Sequence, residues 1–114
     1  MNEQPAETEG EGQGCCQASQ SLTEDELAAD VQTLAALGSA TRYEIIRLIA
    51  ASDEGVCVCE LEPSLGVSQG AVSQALSRLF GAGLVDRRKE GRWRYYTATE
   101  RAEKLLDVLD ETRQ

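Results

Sequence analysis

Apolar positions follow the 3.6-residue helical period in several stretches of this chain and change period once. Leu27, Val31, Leu34 and Leu37 recur three and four residues apart, which predicts a helix over 24–36. Thr23 precedes it as an N-cap, and Glu26 three residues later completes a capping box. Gly38 stops this helix, and Ser39 caps a second one over 40–52. Its apolar face is Ile45, Ile46, Leu48 and Ile49, with Arg42 and Arg47 facing outward. After Gly55, the run Val56-Cys57-Val58-Cys59-Glu60-Leu61 leads into a short element that breaks before Gly66. Pro63 keeps that element brief or kinked, because proline cannot donate a backbone hydrogen bond. Ser68 caps a helix from Gln69 to about Gly81, with Val72, Leu76 and Leu79 on its buried stripe and Gly83 ending it. Two short helices around Leu65-Gly66-Val67-Ser68 read as a helix-turn-helix.

Beyond Gly83 the pattern is that of strands. Residues 84–89 form one strand, Glu90-Gly91 a turn, and residues 92–96 the return strand, which together make a basic β-hairpin. Thr99 then caps a last helix to about Leu109, with Ala102, Leu105, Leu106 and Leu109 on one face. The expected fold is mainly α with a hairpin wing, a winged helix-turn-helix over residues 22–112. Residues 1–21 are rich in Glu, Gln, Gly and Ser and carry too little apolar area to order themselves, so they read as a flexible acidic arm. The first and last helices each show an apolar face that a domain of this size has little core to receive. Packing across a two-fold axis would cover both, so a homodimer is expected.

Composition narrows the class. With 114 residues and five aromatic side chains, one domain with a small aliphatic core is expected. No apolar run approaches a membrane span, and the acidic start does not resemble a signal peptide, so the expectation is a soluble cytoplasmic protein without a membrane partner. The formal charge of −9 argues against nucleic acid until its distribution is read. Residues 69–96 carry six basic against two acidic residues, a local +4, while the rest of the chain carries five bases and 18 acids. A basic stripe on an acidic body is an electrostatic footprint for double-stranded DNA. Gln69, Ser73, Gln74 and Ser77 lie on the polar face of the helix capped by Ser68. Amides bridge adenine edges and serines bond bases or phosphate, while Arg78 is placed for a phosphate. In the hairpin, Arg88, Lys89 and Arg92 near the tip are the expected contacts to phosphate or a minor groove. Lys is scarce beside nine Arg, and with the acid surplus this suggests adaptation to high salt.

Four cysteines in a reducing compartment are better read as ligands or redox groups than as disulfides. Cys57 and Cys59 point apart in a regular helix but can share a side where an extended segment enters one. Cys15 and Cys16 sit in the polar arm, where no core needs them. Soft thiolates select zinc, cadmium, lead or trivalent arsenic, and with no His in the chain the strong ligands are sulfur. Two thiols from the arm folding onto Cys57 and Cys59 would give three or four thiolates. Redox reactivity without an ion is the alternative.

These residues resemble the ArsR/SmtB metalloregulatory repressors over roughly residues 30–100. The match is carried by Leu37-Gly38-Ser39-Ala40-Thr41-Arg42, Val56-Cys57-Val58-Cys59-Glu60-Leu61, Val67-Ser68-Gln69-Gly70-Ala71-Val72-Ser73, Gly83-Leu84-Val85 and Gly91-Arg92-Trp93-Arg94-Tyr95-Tyr96. The resemblance implies a homodimeric winged helix that occupies an operator when ion-free and leaves it when an ion binds. It favours As(III) or Sb(III) as effector, with cadmium, lead or zinc, or thiol oxidation, as the alternative. Three departures bear on this. One arsenite-sensing pattern has a third Cys where this chain has Glu62, so Cys15 and Cys16 are left to complete the site, as in the cadmium and lead sensors. The zinc site of some relatives needs His between the last helices, and residues 98–114 have none. The recognition helix often carries His where this chain has Gln74 and Ala75. A metal-buffering protein with no operator is the reading from another class. Catalysis is not expected, since the chain has no His, no phosphate loop and no nucleophile–base pair.

Overall fold

The structure, a computed structural model, describes residues 17–114, so the expectations for Cys15 and Cys16 lie outside the described residues. Hydroxyl caps set the starts of the longer helices. In α1 (Glu24–Leu37) the Thr23 hydroxyl accepts from the Glu26 amide, and the Glu26 carboxylate accepts from the Thr23 amide at 2.9 Å. Ser39 caps α2 (Ala40–Ala50), which ends two residues before the expected limit. After the two-residue strand β1 (Val56–Cys57) comes α3 (Val58–Leu65), then α4 (Gln69–Gly81), capped by Ser68. The hairpin is β2 (Val85–Glu90) and β3 (Trp93–Ala98), and Thr99 caps α5 (Glu100–Thr112).

The core gathers around α2. Ile45, Ile46 and Ile49 are fully buried against Leu61 of α3, Val72, Leu76 and Leu79 of α4, and Leu84 and Val85 leading into the hairpin. Two expectations for α2 are corrected. Leu48 is exposed rather than part of the core face, because the three isoleucines already fill the side turned inward. Arg42 does not face freely outward. Its Nε and Nη2 donate to the carbonyls of Ala36 and Ala35 at 2.9 and 3.1 Å, satisfying acceptors at the end of α1, a helix with no basic residue in its last turn.

The sheet is antiparallel with order β1-β3-β2. Both strands of the wing run further toward the C-terminus than expected, and the turn falls at Gly91-Arg92, where Gly91 takes the left-handed φ of 62°. The third strand, β1, is too short for any periodicity to announce it.

The outer helices are only partly used. In α1 the buried residues are Thr33 and Ala36, while Val31 and Leu34 are 56% and 66% exposed and Leu27 is exposed beside them. In α5 Ala102 and Leu106 reach the core, whereas Val108 and Leu109 remain exposed. No helix among the described residues is long and apolar enough to cross a membrane.

Candidate functional site

Strand parity decides which basic side chains of the wing meet the helix-turn-helix. Tyr96 is buried, and the register pairs it with Arg87, while Arg94 pairs with Lys89. Residues paired in this way, or two apart on one strand, share a face of the sheet. Arg87, Lys89, Arg94 and Tyr96 therefore form one row, and they line an open cleft of about 590 Å³ between the wing and α4. Arg92 at the turn and Trp93 join them there, and α4 contributes Gln69, Ser73 and Ser77. Arg87 is braced by Phe80, its guanidinium carbon 4.0 Å from the ring centre.

The structure thus brings together Gln69, Ser73, Ser77, Lys89 and Arg92 of the expected DNA contacts. Gln74 and Arg78 lie round the helix, lining a separate hollow with Ser39, Thr41 and Arg42 at the start of α2; Ser77 borders both. Ser68 is occupied as a cap, its Oγ accepting from the Ala71 amide at 3.1 Å. Arg88 is on the opposite face of the wing from the cleft, bonded to Glu90 and to the carbonyl of Glu54. Arg87, Arg94 and Trp93 are cleft residues that the sequence reading did not select. The alternation outward from an inward-facing Tyr96 was the signal that could have found the two arginines.

The thiols open onto the same cleft. Cys57 is the N-cap of α3 in extended backbone, φ −78° and ψ 146°, and Cys59 lies in the first turn of the helix. That extended-to-helical switch brings the sulfurs onto one side, with Cys59 Sγ donating to Cys57 Sγ at 2.7 Å. The Cys59 amide donates to the same sulfur at 3.4 Å. Cys57 is buried and Cys59 exposed. The hydrogen bond to Cys57 raises the Cys59 thiol above its ordinary range, with desolvation and the charge of Glu60 acting in the same direction. Pro63 has no N–H to offer the Cys59 carbonyl four residues earlier, so this first turn is lightly held.

Two adjacent thiols on a partly open segment are a donor set for a soft ion. Among the described residues no group of three or more His, Cys, Asp or Glu side chains converges, so a third ligand is not supplied by them. Two acids of α5, Asp110 and Glu100, are engaged in ion pairs. Asp110 accepts from Arg47 and Arg113 at 3.1 and 3.0 Å, and the Arg113 bond leads in holding its carboxyl below the usual range. Glu100 pairs with Lys104 at 3.3 Å.

A helix-turn-helix whose second helix faces a basic hairpin across a cleft is a winged-helix DNA-binding architecture. The family model described as bacterial regulatory protein, arsR family, matches residues 39–87. The chain is 59% identical over 99 residues to a protein of Halobacterium salinarum named "Putative arsenical resistance operon repressor ArsR2", the match covering 87% of this chain and 83% of that one. Among solved structures it is similar to NolR from Sinorhizobium fredii, with a TM-score of 0.71, 27% identity, and coverage of 83% and 97%. It is also similar to HlyU from Vibrio cholerae, with a TM-score of 0.69, 29% identity, and coverage of 80% and 98%. The chain belongs to the ArsR family of transcriptional regulators.

Proposed function

We propose that this protein is a cytoplasmic, homodimeric repressor that holds operator DNA when ion-free and releases it when a thiol-binding ion, As(III) or Sb(III) first, binds Cys57 and Cys59. The observation that carries the reading is that both thiols border the cleft lined by Gln69, Ser73, Ser77, Lys89, Arg92 and Arg94. An ion captured there acts within the cleft where a DNA groove or phosphate would lie. The name of the Halobacterium salinarum relative, "Putative arsenical resistance operon repressor ArsR2", supports the metalloid as effector. Cys15 or Cys16 supplies the remaining thiolate. The uncovered apolar faces of α1 and α5 support the dimer.

Within this reading Gln69, Ser73, Gln74 and Ser77 read base edges, Ser68 and Arg78 hold phosphate at the two ends of α4, and Lys89 and Arg92 hold it from the wing. The test is a shift of DNA from upstream of the chain's own coding sequence, titrated with arsenite, antimonite, cadmium, lead and zinc under reducing conditions. Release by arsenite or antimonite is expected. The double variant Cys57→Ser, Cys59→Ser should bind the same DNA and stay bound when the ion is added. Release by cadmium or lead alone would reassign the effector, and absence of any specific shift would favour a metal-buffering protein.

A further inference from the structure

Arg88 is set apart from the other wing cations by what it holds. β3 pairs with both β2 and β1, and the register places Arg88 opposite Tyr95 and Tyr95 opposite Cys57, so the backbone ladder links the position of Arg88 in the wing to the start of the thiol segment through β3. The guanidinium carbon lies 5.1 Å from the Tyr95 ring centre. Nε donates to Glu90 at 2.8 Å, and Nη2 donates to the carbonyl of Glu54 at 2.9 Å, 34 residues away in sequence. Glu54 and Gly55 form the turn that delivers the chain to Cys57, a turn closed by Ser52 Oγ donating to the Gly55 carbonyl at 3.2 Å.

Gly55 makes this contact possible. Its φ is +102°, and a Cβ there would stand 3.2 Å from Arg88 Nη1, 3.1 Å from Thr97 Cγ2 and 3.3 Å from the Tyr96 carbonyl. A side chain at this position would crowd the guanidinium that approaches the turn here. An exposed Arg–Glu pair contributes little alone. Here Glu90 orients a planar fork whose other arm grips a backbone carbonyl, a geometry that lysine cannot reproduce.

We propose that Arg88 is a positioning residue rather than a DNA contact: it ties the wing to the Glu54-Gly55 turn, so that ion capture at the thiols displaces the wing. This rests on the reading of Cys57 and Cys59 as the ion site. Capture of arsenite exchanges two arsenic–oxygen bonds for two arsenic–sulfur bonds, each hydroxyl leaving with a thiol proton as water; the hydrogen bond between the sulfurs is lost, so Cys57 and Cys59 re-space. Cys57 ends a strand of two residues, and the turn before it is tied to β2 through Arg88. A displacement of Cys57 therefore reaches β2, and with it Lys89 and Arg87 in the cleft. Coupling of this kind is a difference in contacts between two states.

The test uses the full chain, a duplex from upstream of its own coding sequence, and sodium arsenite under reducing conditions. Arsenite binding is followed by the fluorescence of Trp93, the single Trp, which borders the same cleft as the thiols. Duplex affinity is measured with and without arsenite over a range of salt. Arg88→Ala and Arg88→Lys should both bind arsenite like the wild type and hold the ion-free duplex with an unchanged salt slope. The arsenite-driven loss of duplex affinity should shrink by about tenfold in both, within the usual range of coupling between sites. An unchanged loss overturns the proposal. So does a weaker ion-free complex in Arg88→Ala whose salt slope is reduced by about one for each wing that touches DNA and restored by lysine, the signature of a phosphate contact. Glu90→Gln, an exposed change, loosens the same fork and keeps the test available if Arg88→Ala fails to fold: a smaller arsenite response supports the tie, and an unchanged one overturns it. Failure of the ion site itself is read separately, from a Cys57→Ser, Cys59→Ser control that releases normally, and that outcome removes both readings.

Discussion

The proton on Cys59 distinguishes the candidate ions. Its thiol is held above the ordinary range by the hydrogen bond to Cys57, so the thiolate is scarce at neutral pH. A cadmium ion that binds Cys59 must expel its proton. Its apparent affinity should therefore rise with pH until the raised range is passed. Arsenite arrives as the neutral trihydroxide. Each arsenic–sulfur bond forms as one hydroxyl leaves with the thiol proton as water, and no net proton is released. We expect Trp93 fluorescence titrations at pH 6.5 and 8 to show a clear gain in cadmium affinity and little change for arsenite. A flat cadmium response would mean that Cys59 is already ionised before the ion arrives.

Parity is the second matter settled residue by residue. Arg87, Arg88 and Lys89 are consecutive charges, so no hydrophobic alternation marks which of them turn inward; the buried Tyr96 across the register does so. Arg94→Ala should then weaken operator binding and reduce the salt slope by about one for each wing that touches DNA. Affinity and slope equal to the wild type at several salt concentrations would take Arg94 out of the interface. The thiols were more legible, because an extended segment entering a helix is the local geometry that lets Cys-x-Cys share a side. The α4 face was legible in part: the helical period gave the polar side, but only the packing of the wing separates Gln69, Ser73 and Ser77 from Gln74 and Arg78.

At the level of elements, hydroxyl caps and glycine stops located the longer helices to within a few residues, because capping is local chemistry written at fixed offsets. β1 was not legible. Two residues carry no period, and their pairing with β3 depends on contacts some forty residues apart in sequence. The stripe on α1 was legible as apolar, but its partner was not, and the described chain leaves Leu27, Val31 and Leu34 uncovered. A second copy is the natural cover. Leu34→Glu should then raise the dimer dissociation constant at least 100-fold. Each buried leucine contributes about 1.5–3 kcal/mol, and a two-fold axis counts it twice. Sedimentation velocity across a dilution series checks this, with circular dichroism to confirm that the monomer stays folded. An unchanged assembly state would place the interface elsewhere.

Across the whole molecule the charges are divided: 18 acids and five bases lie outside residues 69–96, and six bases and two acids within them. The acidic body repels itself and repels DNA, while the wing attracts DNA. Salt screens both, but with opposite consequences. At about 1 M the screening length is about 3 Å, which removes most of the long-range repulsion within the body. The thermal midpoint should therefore climb as KCl is raised from about 0.1 M to about 2 M, the reverse of a fold held together by surface ion pairs. Operator binding responds differently. Arg87, Lys89, Arg92 and Arg94 face the cleft in each protomer. If all eight in a dimer neutralised phosphates, log affinity would fall with log salt at a slope of about −7. Relief of the repulsion between the body and DNA offsets part of that fall, so the measured slope should be shallower. The affinity that survives at high salt would then come from Gln69, Ser73, Gln74 and Ser77 against base edges. Melting curves and anisotropy titrations across one KCl series test both halves. A midpoint that falls with salt would show that self-repulsion of the acidic body is not what limits stability. A slope as steep as the full count of cations would show that the body's charge is not felt by the operator.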